Sequence, residues 1–84
     1  MYSIVLKNTV RKELLSLPDK EIITIENKID ELVQNPRPHG CIKLSGSFNE
    51  YRIRVGNYRI IYTIADDILT IFVIKIAHRK DVYR

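Results

Sequence analysis

The chain has 84 residues, 45% of them hydrophobic, with three glycines, three prolines and a formal net charge of +4. A chain of this length holds one core, so a single domain over 1–84 is expected, and the composition excludes disordered and collagen-like chains. The longest apolar runs, such as Ile71-Phe72-Val73-Ile74, fall short of the ~18 residues of a membrane helix.

No secretory leader pattern is visible, so a cytoplasmic location without a membrane partner is expected. One cysteine, Cys41, and two scattered histidines give neither a disulfide nor zinc-ligand spacing, and no cofactor is expected. Cys41 reads as structural rather than nucleophilic.

Charge is unevenly placed. Residues 1–36 hold five basic and six acidic side chains, whereas residues 37–84 hold nine basic and four acidic ones. The positive field of the second half points to an anionic partner there.

Tyr2, Ile4 and Leu6 alternate with Ser3, Val5 and Lys7 and predict an opening strand. Asn8-Thr9 can cap a short helix from about Thr9 to Ser16, with Val10, Leu14 and Leu17 on one stripe and Pro18 as its stop. A second helix, capped by Asp19, carries Ile22, Ile25, Ile29, Leu32 and Val33 on one face and ends before Pro36. From Arg37 to Asn49, Pro38, Gly40 and Gly46 indicate a loop, from which Ile42 and Leu44 can dip into the core.

Glu50 to Val55 alternates strictly, with Tyr51, Ile53 and Val55 on one face and Arg52 and Arg54 on the other. Gly56-Asn57 is a two-residue hairpin turn leading into Tyr58 to Ile64. Asp66-Asp67 turns the chain into Ile68 to Ile76, whose apolar residues on both faces predict a central strand covered on both sides. The fold class is therefore α+β: an N-terminal strand and two helices packed on one face of an antiparallel β-meander, with the other face open.

Pairing across the Gly56-Asn57 turn sets Arg54 opposite Arg59, so Arg52, Arg54 and Arg59 gather on one face. Guanidinium forks suit phosphate oxygens. The plain alternative is a solvated sheet face whose arginines pair with Glu50 or with helix acids. The tail after the last strand adds His78, Arg79, Lys80 and Tyr83. Phosphodiester cleavage without a metal needs a proton acceptor, cations at the transition state and a proton donor, and these residue types supply all three. Singly, each has a simpler reading: His78 as a surface or capping residue, Tyr83 as packing. Tyr51, Tyr58 and Tyr62 read as core or edge packing.

Together these residues resemble a family. The helix end Leu32-Val33-Gln34-Asn35-Pro36, then Lys43-Leu44-Ser45-Gly46, the hairpin from Tyr51 to Tyr62 and the closing His78-Arg79-Lys80-Asp81-Val82-Tyr83-Arg84 resemble the RelE/ParE superfamily of toxin-antitoxin toxins, its RelE branch in particular. The resemblance implies a ribosome-dependent endoribonuclease that enters the A site and cuts mRNA by metal-free 2′-hydroxyl attack. It implies Arg59 and Arg79 as phosphate clamps, Tyr83 as a stacking or proton-exchanging group, and Arg52 or Arg54 as orienting groups. Lys43, Arg52, Arg54, Arg59, Lys80 and Arg84 are expected to contact RNA. Arg52 and Arg54 stand where that branch commonly has lysines, and arginine is a poor proton acceptor, so His78 or Tyr83 is the better candidate for that role.

The chain closes just after Tyr83, which implies a more open site than in members with a C-terminal helix. A RelB-like antitoxin, acidic where it meets the basic sheet, is the implied partner beside the ribosome and mRNA. The competing readings are a ParE-like poison of DNA gyrase without nuclease activity and a non-catalytic RNA-binding module. The His-Arg followed by Val-Tyr in the tail favours the nuclease.

Overall fold

In the computed structural model, which describes residues 1–44, 46, 49–78 and 80, the chain runs β1 (Ser3–Leu6), α1 (Asn8–Leu15), α2 (Asp19–Gln34), β2 (Ile42–Lys43), β3 (Glu50–Val55), β4 (Tyr58–Ala65), a 3-10 turn (Asp66–Ile68) and β5 (Thr70–His78). The five strands form one mixed sheet in the order β1-β5-β4-β3-β2. β2, β3, β4 and β5 pair antiparallel in succession, while β1 lies parallel to β5, with Ile4 beside Ile71 and Leu6 beside Val73. Two helices on one face of this sheet make the expected α+β fold, with β1 and β2 extending the meander at both edges.

The helices form where their apolar stripes can be buried. Val10 and Leu14 of α1 and Ile25, Ile29 and Leu32 of α2 are all buried. They meet Tyr51, Ile53, Ile60, Tyr62, Ile64, Ile71 and Val73 of the sheet in one core. Each fully buried Ile or Leu contributes roughly 1.5–3 kcal/mol, which sets this face, rather than helix propensity, as the main source of stability.

Neither helix is capped as expected. The N-cap positions are Lys7 and Pro18, without side-chain caps, so Asn8 and Asp19 lie inside the first turns. Asp19 and Glu21 still favour the α2 N-terminus through the helix dipole. No helix among the described residues is long and apolar enough to cross a membrane.

Three local features differ from the sequence expectation. The segment after α2 is not all loop: Ile42 and Lys43 add an edge strand to β3, and Ile42 is 49% exposed instead of dipping into the core. The chain does not re-enter the sheet at Ile68, because Asp66–Ile68 form the 3-10 turn and Leu69 follows in the left-handed region at φ 49°. Finally, β5 is not covered on both sides. A bulge between Ile61 and Tyr62 in the β4 register leaves Ile74 as the extra residue of β5, since Tyr62 pairs with Val73 and Ile61 with Lys75.

Alternation therefore changes phase at Ile74: Ile71 and Val73 are buried before it, Ile76 after it. That phase change puts Ile76 in the core three residues after Val73, while Phe72 and Ile74 are half-buried.

A polar clip joins the start of β1, the segment after α2 and the 3-10 turn. Asp66 accepts hydrogen bonds from the Tyr2 hydroxyl at 2.6 Å and from Arg37 Nη2 at 2.9 Å. Arg37 Nε also donates to the Tyr51 hydroxyl at 3.1 Å, with the guanidinium 5.2 Å from that ring's centroid. Beneath it, the buried Tyr62 hydroxyl donates to the Pro36 carbonyl at 2.7 Å, and Tyr51 stacks on Tyr62 at 6.0 Å. Burial is the main cause that pushes the Tyr62 phenol well above its ordinary pKa. The Arg37 bond, then the Tyr2 bond, hold the Asp66 carboxyl below its ordinary value.

Candidate nucleic-acid interface

The sheet face away from the helices is set by parity. On β3, Glu50, Arg52 and Arg54 point there while Tyr51, Ile53 and Val55 are buried. The hairpin turn at Gly56, φ 60°, uses the left-handed conformation that glycine adopts without penalty, and returns β4 in the register that pairs Arg54 with Arg59 and Arg52 with Ile61. Arg52, Arg54 and Arg59 line one cavity of about 260 Å³, completed by Gly40 and Ile42. The three hairpin arginines of the sequence analysis are thus brought together.

Their environments differ. Arg54 is exposed, Arg52 half-buried, and Arg59 only 3% exposed, so Arg59 is the anchored member and not an outward surface residue. Burial holds its planar fork in one orientation, which is what bidentate recognition of a phosphate requires.

Other expected residues fall elsewhere. Lys43 pairs with Tyr51, on the parity of the helix-covered face, so it is not part of the arginine cavity; its neighbour Ile42, paired with Arg52, lines it instead. His78 pairs with Tyr58 and meets that ring edge-on at 5.3 Å, on the parity of Val55. It borders a separate cavity of about 320 Å³ with Glu13, Ser16 and Leu17 of α1. Its Nδ1 accepts the Lys80 backbone N–H at 3.2 Å, which leaves the proton of a neutral imidazole on Nε2. Lys80 itself is exposed. Arg79, Tyr83 and Arg84 lie outside the described residues. Cys41 is half-buried against the core, and Tyr51 and Tyr62 are core residues, while Tyr58 is only partly covered.

One residue was missed by the sequence reading. Lys75 is exposed and pairs with Ile61, which in turn pairs with Arg52, so it stands in the arginines' row. Strict alternation from Ile71 and Val73 would have turned position 75 into the core; the bulge reverses this, and only a register would have revealed it. The far end of the open face is apolar, with Val5, Thr63, Phe72 and Ile74 around a cavity of about 550 Å³ that Lys7 borders.

The family model for the ParE toxin of type II toxin-antitoxin systems (parDE) matches residues 4–83. The chain belongs to the ParE toxin family. Toxin RelG of Mycobacterium tuberculosis is 30% identical over 87 residues, spanning 99% of this chain and 97% of that protein. The archaeal RelE of the RelE-RelB complex from Pyrococcus horikoshii superposes with a TM-score of 0.84 at 31% identity, covering 93% of this chain and 94% of that one. The isolated E. coli RelE toxin gives 0.83 at 26% identity, over 99% and 92% of the two chains. Within the ParE toxin family, then, this chain is a RelE-like toxin of a type II toxin-antitoxin system, and the two-helix, five-strand architecture is that of the RelE structures.

Proposed function

We propose that this RelE-like toxin is a ribosome-dependent endoribonuclease that cuts mRNA in the A site and so arrests translation. The observation that supports this reading best is the cavity in which Arg52, Arg54 and the buried Arg59 converge on the open sheet face. In the reaction proposed, the 2′-oxygen of a nucleotide attacks its own 3′-phosphate. The O2′–P bond forms, the P–O5′ bond breaks, and the products are a 2′,3′-cyclic phosphate and a 5′-hydroxyl.

Arg59 would grip the scissile phosphate, with Arg54 and Arg52 offsetting the charge that gathers on its oxygens in the transition state. Arg79 and Tyr83 would complete the clamp and the stacking surface, as the resemblance implies. Guanidinium stays charged and takes no proton. His78, with Nδ1 engaged by Lys80 and its ring against Tyr58, is poorly placed to be the acceptor at this cavity.

An antitoxin is the proposed regulatory partner, because relatives such as the Pyrococcus horikoshii toxin are held in RelE-RelB complexes. The open face suits a partner that sets carboxylates on the arginine end and apolar side chains on Val5, Phe72 and Ile74. Covering that face would block RNA as well.

The name of the matching family model favours a second reading, inhibition of DNA gyrase without nuclease activity. Primer extension on a defined mRNA, with and without ribosomes translating it, separates the two. Cuts within codons on translated message only, lost in Arg59→Ala and Arg79→Ala, are expected. Intact message from a toxic protein, with supercoiling by gyrase impaired, would transfer the chain to the gyrase reading.

A further inference from the structure

Resting on the nuclease reading above, we infer that Lys75 is the group that takes the 2′-hydroxyl proton, delivered to the arginine site by the β5 bulge. The argument begins with what the cavity lacks. Three guanidinium groups can hold and stabilise a phosphate but cannot accept a proton, and 2′-hydroxyl attack needs an acceptor within hydrogen-bond reach.

Lys75 stands in the row Arg52–Ile61–Lys75, two residues before Ala77, which pairs with Arg59. The diagonal between Arg59 and Lys75 across an antiparallel pair is about 7–8 Å, which long side chains span. Lys75 is exposed and, among the described residues, has no salt bridge, so its amine can reach over Ile61 toward a phosphate seated on the arginines. Bulges beside sites re-aim side chains, and this one moves position 75 from the core parity of Ile71 and Val73 to the arginine parity.

The step balances simply. As the 2′-oxygen bonds to phosphorus, its proton passes to the unshared pair of Lys75 Nζ in the amine form, the P–O5′ bond breaks, and the 5′-oxygen takes a proton from solvent or from a neighbouring donor. Lys75 itself lines the edge cavity with Glu13 of α1, Tyr58 of β4 and His78 of β5, while Arg59 lies on its diagonal and Arg52 in its row one strand beyond Ile61.

The test compares wild type with Lys75→Arg, Lys75→Gln and Tyr83→Phe in single-turnover cleavage of ribosome-bound mRNA across pH, alongside ribosome association measured with message carrying a 2′-deoxy residue at the cut site. Lys75→Arg keeps the charge and removes the acceptor. Its cleavage is expected to fall by roughly 10²–10⁴-fold, the usual span of general-base catalysis, and the rise of rate with pH to flatten, while association with the ribosome persists. Because the side chain is exposed, retained thermal unfolding of both Lys75 variants shows that the fold is intact. Cleavage by Lys75→Arg within about threefold of wild type, below any general-base contribution, overturns the inference and leaves the nuclease reading standing. Flattening of the pH profile in Tyr83→Phe alone overturns it in favour of the tyrosine. A wild-type protein that leaves translated message intact overturns both.

Discussion

Arg59 stands opposite Arg54 across the β3–β4 hairpin, yet Arg59 is 3% exposed and Arg54 lies in solvent. Two residues of one type in one register pair therefore differ in how much side-chain freedom they keep. A buried fork loses little freedom on gripping a phosphate, whereas an exposed one must be ordered first. Arg59→Lys, which keeps the charge and removes the fork, is expected to lower cleavage by about 10²–10³-fold, the scale of losing one preorganised donor at a transition state. Arg54→Lys is expected to cost about tenfold or less, being an exposed charge replaced by another. Cleavage rates of the two variants on translated message decide the ranking; equal losses would remove the distinction.

The register separates the two faces, and RNA binding should report it. Arg52→Gln removes a cation from the cavity, and the slope of log K against log salt for single-stranded RNA is expected to become shallower by about 0.7, one phosphate contact. Lys43→Gln, on the opposite parity, is expected to leave that slope at its wild-type value. Fluorescence titrations at several salt concentrations measure both, and a Lys43 effect equal to that of Arg52 would contradict the assignment of faces.

The clip between Tyr2, Arg37 and Asp66 predicts an acid sensitivity. Because the Asp66 carboxyl sits below its ordinary value of 3.8 in the folded protein, its contribution to stability is present above that value and is lost as pH falls through the lower folded one. Asp66→Asn should therefore lower the thermal midpoint at neutral pH, and the gap from wild type should close at the acid end of the range. Thermal unfolding at a series of pH values checks this; a gap that widens on acidification would assign the stabilisation to another group.

Tyr62 carries a buried hydrogen bond inside the core. Tyr62→Phe keeps the ring stacked on Tyr51 but leaves the Pro36 carbonyl without the donor it meets at 2.7 Å. A loss of about 1–2 kcal/mol in urea unfolding is expected, with an unchanged denaturant slope. Loss of cooperativity instead would mean that the bond fixes the α2–β2 connection as a whole.

Much of this was legible in the sequence. The stripe from Ile22 to Val33 specified α2, the alternation from Tyr51 to Val55 specified β3, and the Gly56-Asn57 turn specified the register that pairs Arg54 with Arg59. These are local patterns with a period or a turn to fix them. What escaped depends on partners distant in the chain. β2 is two residues long and exists only because β3 offers it an edge, and the bulge at Ile74 follows from how β5 accommodates β4. Reading β5 as covered on both sides hid the bulge and with it the placement of Lys75 in the arginines' row. The burial of Arg59, likewise, depends on what surrounds the sheet end and has no signature in an outward-facing arginine of an alternating strand.

The parallel pairing of β1 with β5 has a consequence for synthesis of the protein. Among the described residues β1 has β5 as its one sheet neighbour, so the two helices and the β3–β4 hairpin can form locally while β1 waits for residues 70–73. Ala77, the neighbour of Arg59, arrives later still. The sheet beside Arg59 is therefore closed after the hairpin that carries Arg54 and Arg59 has formed.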